Sequence, residues 1–229
     1  MDFQLMLAPM EKVSDAKFRA LCFANGADLT FTEIARVANL ARGKRGELEK
    51  IAIPDSTPTQ IQLAGAKIAE YAKFLSAFSP APGFRGFNLN LGCSSPAFLR
   101  QGIGAAMVKR VSRTNDIVKL IRDAGFECSV KLRLGENEYE KERGAYLNLI
   151  SHVEASFFVV HARTANQTLE ERPDFGVYAS CVQTGKKIVA NGDIGTREQV
   201  VALEKMGLYG AMIGRAAMEN PKIFKELKE

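Results

Sequence analysis

The sequence predicts an α/β protein built as one (β/α)8 barrel, the TIM barrel, and three observations carry the prediction. Eight short β-rich runs recur along the 229 residues, amphipathic segments separate them, and polar side chains gather where nearly every run ends. Strands that alternate with helices imply parallel pairing through right-handed crossovers. Eight such units favour a closed ring over an open doubly wound sheet.

The runs are FQLML (residues 3–7), DLTFTE (28–33), TQIQLAG (59–65) and GFNLNLG (86–92), then CSVKLRL (128–134), FFVVHAR (157–163), KIVAN (187–191) and GAMIG (210–214). Between them, residues 66–78 set Ile68, Tyr71, Ala72, Leu75 and Phe78 on one helical face. Residues 112–124 do the same with Ile117, Leu120, Ile121 and Ala124, and Gly125 stops that helix. A third helix, 196–206, opens on Thr196 as N-cap, repeats Val200, Val201 and Leu203, and ends at Gly207. The SPAPG loop at 79–83 is rigid, but no Gly, Pro or Ser linker divides the chain, so residues 1–229 are expected to form one domain.

Composition narrows the function classes. Hydrophobic residues at 46% and charged residues at 25% describe a globular protein with a sizeable core. The net charge of +5 permits contact with a polyanion without establishing it. Cys22, Cys93, Cys128 and Cys181 form no C-x-x-C pair and no Cys/His spacing suited to zinc, so neither a metal site nor a disulfide scaffold is expected. The N-terminal MDFQLMLAPMEK has no basic n-region and too short an apolar run for export or anchoring. A cytoplasmic protein with no membrane contact is expected, and a monomer is its simplest assembly.

In such a barrel the carboxyl ends of the strands hold the chemistry. In NLNLGCSSP (88–96), Cys93 stands where a strand gives way to a loop, a place core packing rarely needs a thiol. Lys131, inside the apolar SVKLRLG, would be costly to bury alone, so it faces a ligand or carboxylate at the mouth unless it snorkels to solvent. His161 ends FFVVH and is followed by Arg163, a strand-end position that suits ligand contact; His152 falls in a helical stretch and reads as structural. NGDIG (191–195) and IGRAA (213–217) follow the seventh and eighth strands, the usual phosphate cradle of this fold. There Gly192 and Gly214 allow close backbone approach and Arg215 adds charge-assisted bonds. Gly102-Ile103-Gly104 lacks the third glycine of a dinucleotide fingerprint, and the charged run 136–143 reads as a solvated face.

Taken together, LAPMEKVSDAKFR (7–19), GADLTFTE, QLAG, NLNLGC, VKLRLG, HART, NGDI and GRAAMENPKIF (214–224) resemble the tRNA-dihydrouridine synthases, in that family's order and over nearly the whole chain. The resemblance implies an FMN-bearing barrel that reduces uridine in tRNA to 5,6-dihydrouridine with NADPH as the electron source. It puts Pro9, Met10, Gln62, Lys131 and His161 around the isoalloxazine, and Asn191, Gly192, Asp193, Gly214 and Arg215 at the ribityl phosphate. It makes Cys93 the catalytic acid, giving a proton to C5 while hydride reaches C6, because a thiol keeps its proton at neutral pH. Asn90 would face the uracil and Arg163 the substrate, with Arg100, Lys109, Arg110 and Arg133 as further candidates for RNA phosphates. Ser94 stands where the family usually has proline, and the sequence is expected to lack the C-terminal helical domain with which family members grip tRNA. Two other readings remain open: an FMN-dependent oxidoreductase of a free pyrimidine, like dihydroorotate dehydrogenase, and a non-catalytic RNA-binding barrel.

Overall fold

Each of the eight β-rich runs forms a strand in the computed structural model, which describes residues 3–229. Met1 and Asp2, which the N-terminal reading and the domain range include, lie outside the described residues. The strands are β1 (Gln4–Leu7), β2 (Thr30–Phe31), β3 (Ala35–Arg36), β4 (Thr59–Ala64), β5 (Phe84–Leu91), β6 (Cys128–Arg133), β7 (Phe158–His161), β8 (Ile188–Asn191) and β9 (Gly210–Ile213). Every pairing is parallel, in the order β1-β9-β8-β7-β6-β5-β4-β2, and a parallel bridge from Met6 to Leu29 brings the two edges together into a barrel.

β3 is the one strand that periodicity did not anticipate. Thr32 explains the break before it: its hydroxyl accepts the Gln62 N–H at 3.0 Å, so a side chain replaces a ladder carbonyl and the second strand splits into two short pieces. The expected helices form within two or three residues of their predicted ends, as Ile68–Leu75, Val111–Asp123 and Arg197–Lys205. The last carries a capping box, in which Thr196 accepts the Gln199 N–H and the Gln199 side chain returns to the Thr196 N–H.

Two cores result. The larger lies between the strands and the surrounding helices and includes a knot of phenylalanines, where Phe87 packs edge-on against Phe74, Phe84 and Phe126. The smaller fills one side of the barrel interior with Met6, Phe31, Val159, Val189 and Met212. The other side is polar. There Gln62, Asn88 and Ser129 are in register across three neighbouring strands and are at most 1% exposed.

Buried polar groups need partners, and these form one chain of hydrogen bonds. Asn90 donates to Gln62 Oε1 (2.9 Å), Gln62 to Asn88 Oδ1 (2.7 Å), Asn88 to Ser129 Oγ (2.7 Å), Ser129 to Gln60 Oε1 (2.5 Å), and Gln60 to the Arg85 carbonyl (3.2 Å). Replacing the central member, Asn88→Ala, strands the Gln62 amide and takes from Ser129 Oγ the donor it accepts, while Ser129 still donates to Gln60. Urea denaturation should show a loss of about 2–4 kcal/mol, since each orphaned buried group costs about 1–3. A loss within 0.5 kcal/mol of wild type, roughly the value for an ordinary surface site, would mean the chain carries no weight.

Candidate active site

Five strand ends converge on a cavity of about 450 Å³ at the carboxyl mouth of the barrel, within the range of small-molecule sites. Pro9 and Met10 line it beyond β1, Lys131 from β6, His161 from β7, Asn191 with Gly192 and Asp193 from β8, and Gly214 with Arg215 from β9. Of the residues expected to hold a cofactor, Gln62 alone lies off this wall. Its amide is buried and spent on Asn88 and Asn90.

The glycine loops leave backbone donors facing the cavity. Among the described residues, the N–H groups of Gly192, Gly214 and Arg215 reach no protein acceptor. Gly192 has φ +126°, a backbone conformation that favours glycine, and a Cβ there would crowd Pro173 Cβ at 3.2 Å and His161 Cδ2 at 3.3 Å. Asp193, itself left-handed at φ +50°, bridges Arg163 and Arg215 with its carboxylate. Burial opposes that charge, but the hydrogen bonds from the two guanidiniums outweigh it and hold the carboxyl below its usual range. Arg215 makes both of its contacts through Nη2, to Asp193 and to the Leu169 carbonyl, and keeps Nε and Nη1 for an incoming anion.

Cations crowd the centre of the site. Burial draws the Lys131 ammonium down to about 7, with the Arg133 charge adding to the effect, although part of the side chain opens onto the cavity. Its Nζ donates to Asn191 Oδ1 at 2.9 Å. Burial likewise pulls His161 down to about 2, reinforced by Lys131, Arg133, Arg163 and Arg215. Arg163 Nη1 lies 3.2 Å from His161 Nε2. A guanidinium can only donate, so Nε2 accepts and the neutral imidazole carries its proton on Nδ1.

Two expectations for the arginines change. Arg163, expected at the substrate, is fully buried, and its five donors go to His161, Asp193, and the carbonyls of Leu169 and Glu171. Arg133, expected among the RNA contacts, is 8% exposed and donates to the Thr164 and Gln167 carbonyls. Both fold the loop after β7 over the site. Lys109 is also committed, pairing with Glu136 at 2.7 Å and Glu140 at 2.9 Å, so the charged run 136–143 is tied to its neighbour as well as solvated.

Cys93 stands at the end of β5, beside β6 and its lysine, since Asn90 pairs in register with Lys131. It is the one cysteine that is not fully buried; Cys22, Cys128 and Cys181 pack in the core, and burial lifts the Cys22 thiol to about 11. Asn90 Oδ1 accepts the N–H of Cys93 at 2.9 Å and of Gly92 at 3.2 Å, which ties the loop to the polar chain inside the barrel. From the other side Ala105 N–H donates to the Cys93 carbonyl, and Gly104, at φ +66°, passes so close that a Cβ would meet that oxygen at 2.5 Å. Gly102-Ile103-Gly104 is therefore a brace for the cysteine loop.

Some contributors escaped sequence reasoning. Tyr178 is buried in the helix Val177–Val182, and its hydroxyl accepts the Asn191 N–H at 2.9 Å, setting the residue that holds Lys131. Ser129 offers no signal beyond a hydroxyl in an apolar strand. Among the described residues no group of His, Cys, Asp and Glu is arranged to hold a metal ion, and no helix is long and apolar enough to cross a membrane.

The family model described as dihydrouridine synthase matches residues 6–229. A probable tRNA-dihydrouridine synthase of Aquifex aeolicus is 30% identical over 99% of this chain and 73% of its own length. tRNA-dihydrouridine synthase B of Pseudomonas putida is 27% identical over 98% of this chain and 67% of its own. The human tRNA-dihydrouridine(47) synthase [NAD(P)(+)]-like protein is 27% identical over 99% of this chain, which spans only 35% of that longer relative. Among solved structures, N-(5'-phosphoribosyl)anthranilate isomerase from Pyrococcus furiosus superposes with a TM-score of 0.55 over 99% of this chain and 96% of its own at 13% identity. That likeness shows the fold alone.

The depressed lysine makes stability depend on pH. Its folded value lies below its unfolded one, so the native state binds fewer protons from pH about 7 upward to the ordinary lysine range. Stability should therefore rise through that window, until the unfolded lysine also sheds its proton. Thermal melts of the flavin-free protein at pH 7 and pH 9 should show a rise that Lys131→Met lacks. Parallel curves for the two proteins would mean the ammonium is not desolvated.

Proposed function

Because this chain belongs to the dihydrouridine synthase family, we propose that it reduces uridine in tRNA to 5,6-dihydrouridine, with FMN as resident cofactor and NADPH as electron source. One observation carries the reading: a cavity walled by Lys131, His161, Asn191, Gly192, Asp193, Gly214 and Arg215 opens on the same barrel mouth as Cys93.

The residues fit the cofactor. Gly192 sits at φ +126° with Pro173 and His161 crowding its Cα, the Gly192, Gly214 and Arg215 amides meet no acceptor among the described residues, and Arg215 retains free donors, a set suited to a phosphate. Pro9 and Met10 offer an apolar wall for a flat ring, and Lys131 an amine that can donate to its polar edge. When bound, FMN supplies the hydride that reaches C6 of the uracil. Neutral His161, fixed as the Nδ1–H tautomer by Arg163, presents a donor that carries no charge.

Cys93 Sγ–H gives the proton to C5, so C5 and C6 each gain one hydrogen and the double bond becomes single. The bonds to Asn90 and Ala105 set where the thiol sits, while Asn90 keeps one amide hydrogen for the uracil. Arg163 and Asp193 act on the substrate indirectly, by holding His161 and Arg215. Since the barrel mouth admits a base and not a duplex, the uridine enters unstacked.

Incubation with unmodified tRNA, NADPH and FMN, followed by nucleoside mass analysis, should reveal dihydrouridine. Its absence from a flavin-loaded preparation, with turnover of free orotate or dihydroorotate instead, would reassign the substrate. Cys93→Ala should keep FMN and NADPH oxidation yet lose about 10²–10⁴ in product formation, the usual weight of a positioned acid; full product formation would remove the acid role. Arg215→Gln should weaken FMN binding by about 1.5–3 kcal/mol, as for a lost charge-assisted bond, measured by flavin fluorescence titration.

A further inference from the structure

A second cavity, about 710 Å³, opens on the same mouth, between the loops that follow β3, β4 and β5. Arg36, Arg42, Lys67, Arg110 and Arg113 line it, and Glu70 is the one carboxylate in the wall, 3.8 Å from Lys67. Among the described residues, none of the four guanidiniums pairs with a carboxylate.

They are held in place by neutral groups instead. Arg36 donates to Gln101 Oε1 at 3.2 Å and lies over the Phe98 ring at 4.5 Å. Arg42 donates to the Ala38 carbonyl at 2.9 Å, Arg113 to the Ala66 carbonyl at 3.3 Å, and the Arg110 guanidinium rests beside Gly102. Beneath them the buried Glu47 anchors the segment by accepting the Arg36 N–H and the Asn39 amide, both at 2.8 Å. Four positive groups gathered around one hollow repel one another, and a chain of phosphates relieves that repulsion while releasing its own counterions.

Position identifies the ligand. The cofactor cavity takes its residues from β1 and β6 to β9, the basic one from β3, β4 and the loop after β5, and Cys93 ends the strand between them. Ile103 belongs to the basic wall and also packs with Ala64 against Cys93. A nucleotide whose base lies over Cys93 must keep its phosphates outside the cofactor cavity, on this side. We propose that the basic cavity grips the phosphodiester backbone of the RNA strand flanking the target uridine. The inference rests on the RNA substrate reading above.

The test is fluorescence anisotropy of an unmodified tRNA transcript with the flavin-loaded protein over a series of KCl concentrations. Arg42→Gln with Arg113→Gln should lower the slope of log affinity against log salt by about two, one for each lost phosphate contact, and weaken low-salt binding about tenfold. Flavin content and melting temperature serve as the folding check. Lys186→Gln with Lys187→Gln, at the amino end of β8 on the opposite face, removes the same charge and should leave the slope at its wild-type value. An unchanged slope in the arginine pair, or an equal drop in the lysine pair, overturns the inference even if the wild type makes dihydrouridine. A slope lost only in the arginine pair sustains the surface assignment, even if the wild type makes no product and the substrate reading falls.

Discussion

The hydrogen-bond chain inside the barrel is the constraint on which the rest depends. It begins at the backbone N–H of Cys93, passes through Asn90, Gln62, Asn88, Ser129 and Gln60, and ends at the Arg85 carbonyl. One terminus can only donate and the other can only accept. Every side-chain amide between them therefore has a single satisfying orientation, and none can flip without leaving two buried groups unpaired. Aligned bonds also polarise one another in a low-dielectric interior. A loop that would otherwise drift is thereby tied to the barrel floor.

The opposite half of the mouth is governed by charge. Arg163 surrenders all exposure and commits five donors, which makes it an internal scaffold for His161, Asp193 and the loop beyond β7. Burial keeps His161 neutral, reinforced by the charges of Lys131, Arg133, Arg163 and Arg215, and the cavity wall sets Asp193 and Glu219 against Lys131, Arg163 and Arg215. A site prepared in this way favours an anionic ligand before the ligand arrives. The polar chain settles geometry, and the arginine cluster settles potential.

Cys93 joins the two. Its strand neighbours the lysine strand, its N–H enters the polar chain, and its carbonyl is clasped by the turn at Gly104. That turn also supports Arg110 and Ile103, so the loop that presents the thiol and the loop that lines the basic cavity are one continuous segment. The thiol loop and the basic wall are thus mechanically linked.

Periodicity alone was enough to determine eight of the nine described strands, three of the helices and the strand ends where polar side chains gather, because burial alternates along a strand and recurs along a helix whatever surrounds them. Motif order was enough to bring Cys93, Lys131, His161 and the two glycine loops to one mouth. Tertiary structure decided the partners. Gln62 turned inward to Asn88 and Asn90, Arg133 and Arg163 were drawn under a loop, and Tyr178 reached Asn191 from a helix. Glutamine, arginine and tyrosine have the reach and donors to serve either a ligand or the protein. Which of the two they serve depends on the groups that folding brings within about 3 Å, and that proximity is not written in the spacing of residues along the chain.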